Sequence, residues 1–435
     1  MAKTYDTYKD SGIAWIGEIP GEWRVEKARH IFTQRNSKGN KTPILLSATQ
    51  INGMYPQHLL EGVVQVQKST DLQTFKTVHK NDYVISLRSF QGGFEMSDYE
   101  GVCSPAYQVF YNKIDICHQY YKLLFKSQGF ISMINSLVVG IREGKNIQYG
   151  SFSYSYLPFP PLSVQQSISS FLDTKCGEID SLISIQEEMI SELLAYKQSV
   201  ITEAVTKGLD KKAKMKNSGV EWIGDIPEEW EIKPYKAIFY TEKGLNITKA
   251  DLVEKGEPVL SYGQIHSKMN TGTKINDALL KYVPSSYIET NPECLVQKGC
   301  FLIADTSEDY DGCGNAIYVD KDMTLFAGYH TIVARPIHNN GDYKYLAYLF
   351  LTDIWRQQIR SRVSGIKVYS INQKIIRLTS VLLPPLPVQQ AIATYLDEKT
   401  SQIDSLIALK QSKIESLKEY KKSIIYEYVT GKKRV

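Results

Sequence analysis

Residues 160–206 read PPLSVQQSISSFLDTKCGEIDSLISIQEEMISELLAYKQSVITEAVT, and residues 384–430 read PPLPVQQAIATYLDEKTSQIDSLIALKQSKIESLKEYKKSIIYEYVT. The copies agree at 24 of 47 positions, at a constant offset of 224. From Ser163 to Val205 there is no proline and one glycine, Gly177. Apolar residues fall at Ile168, Leu172, Ile179, Leu182, Ile183, Ile190, Leu193, Val200 and Ile201, which is the spacing of one helical face. The second copy repeats it at Ile392, Leu396, Ile403, Leu406, Ile407, Ile414, Leu417, Ile424 and Ile425. Each copy therefore predicts a long amphipathic helix, with a break at Gly177 in the first only. From Gly177 to Thr206 such a helix spans about 45 Å, at about 1.5 Å per residue. A stripe of that length must be buried, and the natural partner is its duplicate. The expected packing set is Ile179, Leu182, Ile183, Ile190, Leu193 and Val200 against Ile403, Leu406, Ile407, Ile414, Leu417 and Ile424.

A second repeat lies upstream of each helix. Lys9–Phe32 (KDSGIAWIGEIPGEWRVEKARHIF) matches Lys216–Phe239 (KNSGVEWIGDIPEEWEIKPYKAIF) at 12 of 24 positions, offset by 207. Between the repeated blocks the halves share only echoes, such as LSATQI at 46–51 against LSYGQI at 260–265. The internal junction runs V-T-K-G, then basic residues, then K-N-S-G-V-E-W, and joining the C-terminal V-T-G-K-K-R-V to the N-terminal Y-K-D-S-G-I-A-W would recreate it. Two equivalent half-units in a pseudo-twofold ring explain this, and the ring makes the helix pair antiparallel.

Ahead of the helices, Tyr83–Leu87, Phe301–Ala304, Gln108–Tyr111 and Thr331–Ala334 are strand-like, while Tyr120–Leu137 and Tyr343–Val363 read as helices. The expected class is α+β: two mixed α/β domains separated by two long antiparallel helices, a coiled coil, in a pseudo-twofold circular arrangement. The boundaries are 1–159 for the first domain, 160–208 for the central helix, 209–383 for the second domain and 384–435 for the C-terminal helix.

Composition removes other classes. With 43% hydrophobic and 23% charged residues over 435 positions, the chain can bury at least two cores and is not globally disordered. Mean hydropathy is -0.27, and no apolar run approaches a membrane span. The opening M-A-K-T-Y-D has no basic-then-apolar leader, so a cytoplasmic protein is expected. Six cysteines contain no C-x-x-C pair and seven histidines no H-x-x-x-H, so neither a disulfide frame nor structural zinc is indicated. Fifty-one basic against 47 acidic residues gives a net charge of +4, compatible with a nucleic-acid partner without requiring one. No P-loop is present, and Asn291-Pro-Glu-Cys294 departs from the N-P-P-[YF] of amino methyltransferases at both later positions. Asp305, Glu308, Asp309 and Asp311 could meet a magnesium ion, but with no partner motif they read as a solvated acidic loop.

The duplicated W-I-G-[ED]-I-P-x-E-W, the P-P-L-x-V-Q-Q at each helix start and the I-D-S-L-I…V-T that follows resemble the specificity subunit of type I restriction-modification enzymes, over essentially the whole chain. The resemblance implies a non-catalytic, cytoplasmic host-defence protein. Its two variable domains would each read one half of an interrupted site in double-stranded DNA. Its helices would space those domains and dock two modification subunits, with restriction subunits outside and no membrane involved. No cofactor would sit on this chain; S-adenosylmethionine, ATP and magnesium would belong to the partners. Two rivals stand beside it: a coiled-coil scaffold with two protein-binding domains, and a self-sufficient restriction enzyme.

Base readout favours bidentate or planar side chains on loops. The candidates are Gln50, Arg88, Gln91, Arg142, Lys145, Asn146 and Gln148 in the first domain, and Gln264, Lys367, Asn372, Gln373 and Lys374 in the second. Any one of them can equally be a solvated residue or a phosphate contact.

Overall fold

The computed structural model describes residues 4–39, 44–49, 52–60, 72–86, 93–136, 147–220, 222–338, 343–365 and 367–435. Its contacts divide into two units, residues 1–187 with 411–435, and residues 188–410. Each unit therefore joins one variable domain to adjoining parts of both repeated helices.

The first unit is built on a four-stranded antiparallel sheet of β1 (Phe32–Arg35), β2 (Tyr83–Ile85), β3 (Phe94–Met96) and β4 (Gln108–Asn112), in the order β1-β4-β2-β3. Val109 lies opposite both Arg35 and Val84. Strand alternation sends Tyr83, Phe94 and Phe110 to one face, where they pack with Phe32, Phe125, Phe130 and Phe152. Val84 and Val109 point to the other, against Leu46, Met54, Val78 and Cys103. The second unit repeats the order as β5 (Phe239–Lys243), β6 (Phe301–Ala304), β7 (Ala316–Tyr318) and β8 (Thr331–Pro336), arranged β5-β8-β6-β7. Phe301 and Ile303 face Phe239, Phe350 and Trp355, while Leu302 and Val333 face Leu260, Val296 and Ile317. Sheets covered on both sides explain the short, continuously apolar strands in the sequence.

The two helices expected after the sheets are each broken. The first divides into α1 (His118–Lys126) and α2 (Gln128–Ser136). Beyond α3 (Leu162–Lys207), the second divides into α4 (Lys344–Phe350) and α5 (Asp353–Arg360). At both breaks a hydroxyl turns back on the preceding turn: Ser127 Oγ donates to Leu124 O at 2.7 Å, and Thr352 Oγ1 to Leu349 O at 2.6 Å. Both residues are extended, so local side-chain bonding replaces helix continuation.

The repeated blocks form the longest elements, the 46 residues of α3 and the 44 of α6 (Leu386–Val429). Gly177 does not break α3; a lone glycine costs a helix only about 1 kcal/mol. Between residues 179 and 200 of α3 the positions that are not exposed are Ile179, Ile183, Gln186, Ile190, Leu193, Lys197 and Val200, and between 403 and 424 of α6 they are Ile403, Ile407, Lys410, Ile414, Leu417, Lys421 and Ile424. These alternate steps of four and three residues, the 3.5-residue period of a coiled-coil seam. Leu182 and Leu406 are each 47% exposed and lie off that seam, so they do not belong to the packing set. Pairing is antiparallel within each unit. In the first, Phe171 meets Tyr428 at 4.6 Å between ring centroids and Asp180 meets Lys421 at 2.7 Å. In the second, Met189 meets Lys410 at 3.3 Å and Asp404 meets Lys197 at 2.6 Å.

The other repeated block anchors the helix ends. Trp23 and Trp230 are buried against the glycines that follow α6 and α3. A Cβ on Gly431 would lie 3.0 Å from Trp23, and one on Gly208 3.1 Å from Trp230; both glycines have φ near +75°. These are left-handed helix C-caps that leave room for an indole. Tyr120 and Tyr345 donate their hydroxyls to Val429 O and Val205 O, both at 2.8 Å. Gln165 and Gln389 tie each helix start to Pro160 O and Pro384 O. Twofold recurrence of these contacts accounts for the sequence identity of the blocks. The six cysteines are free thiols, and all but Cys117 are buried.

Candidate nucleic-acid interface

In the second unit four loop segments converge at one end of the sheet. The turn before β8 carries Tyr329 and His330, the segment after β6 runs from Asp305 to Gly312, and Tyr262–Ile265 forms a one-turn helix. The fourth is Tyr369–Ser370, which pairs as a short strand with Thr306–Ser307 of the second. Backbone bonds lock them together: Ile371 N donates to Asp305 O at 2.7 Å, Asp305 N to His330 O at 3.1 Å and Tyr262 N to Tyr329 O at 3.3 Å.

Side chains fix the geometry further. His266 Nε2 donates to Thr306 O at 2.8 Å, and its Nδ1 lies 3.1 Å from the Asn315 amide as acceptor, which sets the imidazole tautomer. His330 Nδ1 donates to Asp305 Oδ1 at 3.1 Å. Tyr262 packs edge-on against Tyr329, His330 and His266, with centroids 5.7, 5.5 and 6.3 Å away. The acidic loop is held from below by Arg360, which is only 7% exposed; it donates to Asp311 O at 2.7 Å and pairs with Asp353 at 2.8 Å. Burial, with the Arg360 cation adjacent, pulls Arg356 down to about 10. Asp309 Oδ1 accepts from Gly312 N, an internal loop bond. Among the described residues no group of three His, Cys, Asp or Glu side chains could hold a metal ion.

The readout candidates divide three ways. Gln50, Arg88, Gln91, Arg142, Lys145 and Asn146 lie outside the described residues. Gln148, Lys367 and Lys374 are exposed. Three others carry structural duties: Gln264 Oε1 accepts from Ser261 N in a capping box, Asn372 caps Ile375 N, and Gln373 Oε1 accepts from Thr241. The bonds of Gln264 and Asn372 to backbone three residues away are what polar loop residues offer most readily, whereas Gln373 is held by a hydroxyl distant in sequence. Tyr262, Asp305, Tyr329 and His330, which the structure brings together, are not flagged by a search for bidentate side chains. In the sequence Asp305 shows only as part of an acidic cluster and Tyr262 as part of the LSYGQI echo, while Tyr329 and His330 are marked only by their position just before a strand-like run.

The family model for the type I restriction modification DNA specificity domain matches residues 16–194 and again 227–419. The chain belongs to the type I restriction-modification specificity family. It is 24% identical over 427 residues to the type I restriction enzyme MjaVIII specificity subunit of Methanocaldococcus jannaschii, covering 96% of this chain and 94% of that one. It is 22% identical over 219 residues to the EcoKI specificity subunit of Escherichia coli K12, covering 48% of this chain and 44% of that one. Among solved structures, a chain of a type I R-M system superposes with a TM-score of 0.70 at 14% identity, covering 94% of this chain and 98% of the other. The HsdS subunit from Thermoanaerobacter tengcongensis superposes with a TM-score of 0.52, also at 14% identity, with coverages of 95% and 98%. These likenesses bear out the α+β fold with two recognition domains and two long helices. A specificity subunit is not itself a catalyst, so the self-sufficient enzyme is set aside along with the protein-binding scaffold. Among the described residues no helix is long and apolar enough to cross a membrane.

Proposed function

We propose that this specificity subunit acts in the cytoplasm, that its two variable domains each read one half of an interrupted double-stranded DNA site, and that α3 and α6 fix the spacing while docking two modification subunits. Restriction subunits associate outside them. S-adenosylmethionine, ATP and magnesium are used by those partners. The observation that carries the reading is the contrast between duplicated and diverged parts. Ion pairs, helix-end tyrosines and caps recur at matching positions within the chain, as one scaffold built twice requires. The loops over the two sheets differ, as readers of two different half-sites require.

The outward faces of the helices support docking. Leu182 recurs as Leu406, Ile185 as Leu409 and Tyr196 as Tyr420, all between 47% and 65% exposed and off the seam. Repeated apolar side chains left in solvent mark a surface meant to be covered twice. Co-expression with the genomically adjacent modification subunit, followed by methylome sequencing, tests the reading. One interrupted, asymmetric adenine-methylated motif is expected; methylation with no bipartite motif contradicts it.

A further inference from the structure

His330 sits at φ +55°, a left-handed conformation that a residue with a Cβ adopts at a cost and that glycine or asparagine adopts readily. The turn imposes this. Gly328 lies against Ser261 and Leu260, Thr331 Oγ1 donates back to Gly328 O at 2.7 Å, and β8 begins at Thr331. A strained imidazole, with its side chain 55% exposed, is therefore kept where folding alone favours a smaller residue.

Its orientation is fixed by a carboxylate and two rings. The Asp305 carboxylate accepts a hydrogen bond from Nδ1, and Tyr262 and Tyr329 pack edge-on at 5.5 and 6.0 Å. A carboxylate can only accept, so in the neutral ring the proton is on Nδ1 and Nε2 is an acceptor directed away from Asp305.

The duplicated sheet supplies an independent comparison. In the first unit Gln108 pairs with Ile85, and in the second Ile332 pairs with Ile303. Counting back two residues in each strand makes Ala106 the counterpart of His330. The strand register is common to both units, but the turn leading into it is left-handed only at His330, and the side chain offered there changes from a methyl group to an oriented imidazole.

We infer that His330, positioned by Asp305 and flanked by Tyr262, is a specificity-determining residue of the second recognition domain, its Nε2 accepting from an exocyclic amino group on a base edge in the major groove. Adenine N6 and cytosine N4 both present that donor. The inference rests on the proposed reading of DNA by this domain.

The test uses the full chain co-expressed with its modification subunit, with the methylated motif read by sequencing. His330→Gly relieves the backbone strain while removing the acceptor, and His330→Ala removes the acceptor while keeping the Cβ at the same φ, so one of the two keeps the fold. Each should relax discrimination at one position of one half-site by roughly tenfold, leaving the other half and the spacing unchanged. Asp305→Asn keeps an acceptor for Nδ1–H and should retain discrimination. Asp305→Ala should lose it, although the backbone bonds of residue 305 remain. The base recovered at the relaxed position tells adenine from cytosine. Unchanged motifs for both His330 variants, or relaxation in both halves, overturn the assignment while the wild-type motif stands. A wild-type complex with no interrupted motif overturns the DNA reading, and this inference with it.

Discussion

Tyr120 and Tyr345 show how single groups hold the helices to their domains. Each phenol is fully buried and pushed well above its ordinary range by that burial, so each is a neutral donor to a helix-end carbonyl. Tyr120→Phe and Tyr345→Phe should each cost about 1 kcal/mol in urea unfolding, by nearly equal amounts, because the two sites are copies. His118 gives a pH signature in the first unit. Burial lowers its pKa, Nδ1 is buried with no hydrogen-bond partner, and the ring stacks on Tyr83 at 6.1 Å. With the folded pKa below the unfolded value, the unfolded chain binds the proton first as pH falls below about 6.5. Stability is therefore full above that pH and declines below it. His118→Phe keeps the stack and should flatten the decline in thermal melts between pH 7 and 5.

At the level of elements, the helices were legible because a period near 3.5 survives in both copies. Leu182 and Leu406 misled because periodicity marks apolar residues within reach of a face, while only about one position per turn enters the seam. The divided helices were hidden because Ser127 and Thr352 break them through a hydroxyl bond rather than through proline or glycine. The readout loops were least legible: Gln264 and Asn372 have the right chemistry, but backbone groups nearby satisfy them first, and Gln373 is taken by the Thr241 hydroxyl. The seam and the outward face should respond differently to charge. Ile190→Asp with Leu193→Asp puts carboxylates between packed helices and should cost several kcal/mol. Leu182→Asp with Leu406→Asp should leave unfolding within about 0.5 kcal/mol of wild type, as surface changes do, while weakening capture of the modification subunit in pull-down.

For the whole molecule, each unit uses the same parts in circularly permuted order, so equivalent parts should be exchangeable. A fragment from Lys216 to Val435 keeps one recognition domain and α6 without α3. The repeat places Lys421 where Lys197 stands and Asp404 where Asp180 stands, so two fragments can pair their α6 helices antiparallel with both ion pairs satisfied. Light scattering should report a dimer; a folded, strictly monomeric fragment would contradict the antiparallel pairing.

The most direct test of one domain reading one half-site is a swap made at the repeats. Replacing residues 222–383 with a second copy of residues 15–159 keeps both helices and makes the two domains identical. Sequencing of the methylated motif, in cells that also express the modification subunit, should then return an interrupted palindrome built from the half-site of the first domain, with spacing close to that of wild type. A motif that stays asymmetric, or that keeps the half-site assigned to the replaced domain, would contradict the account.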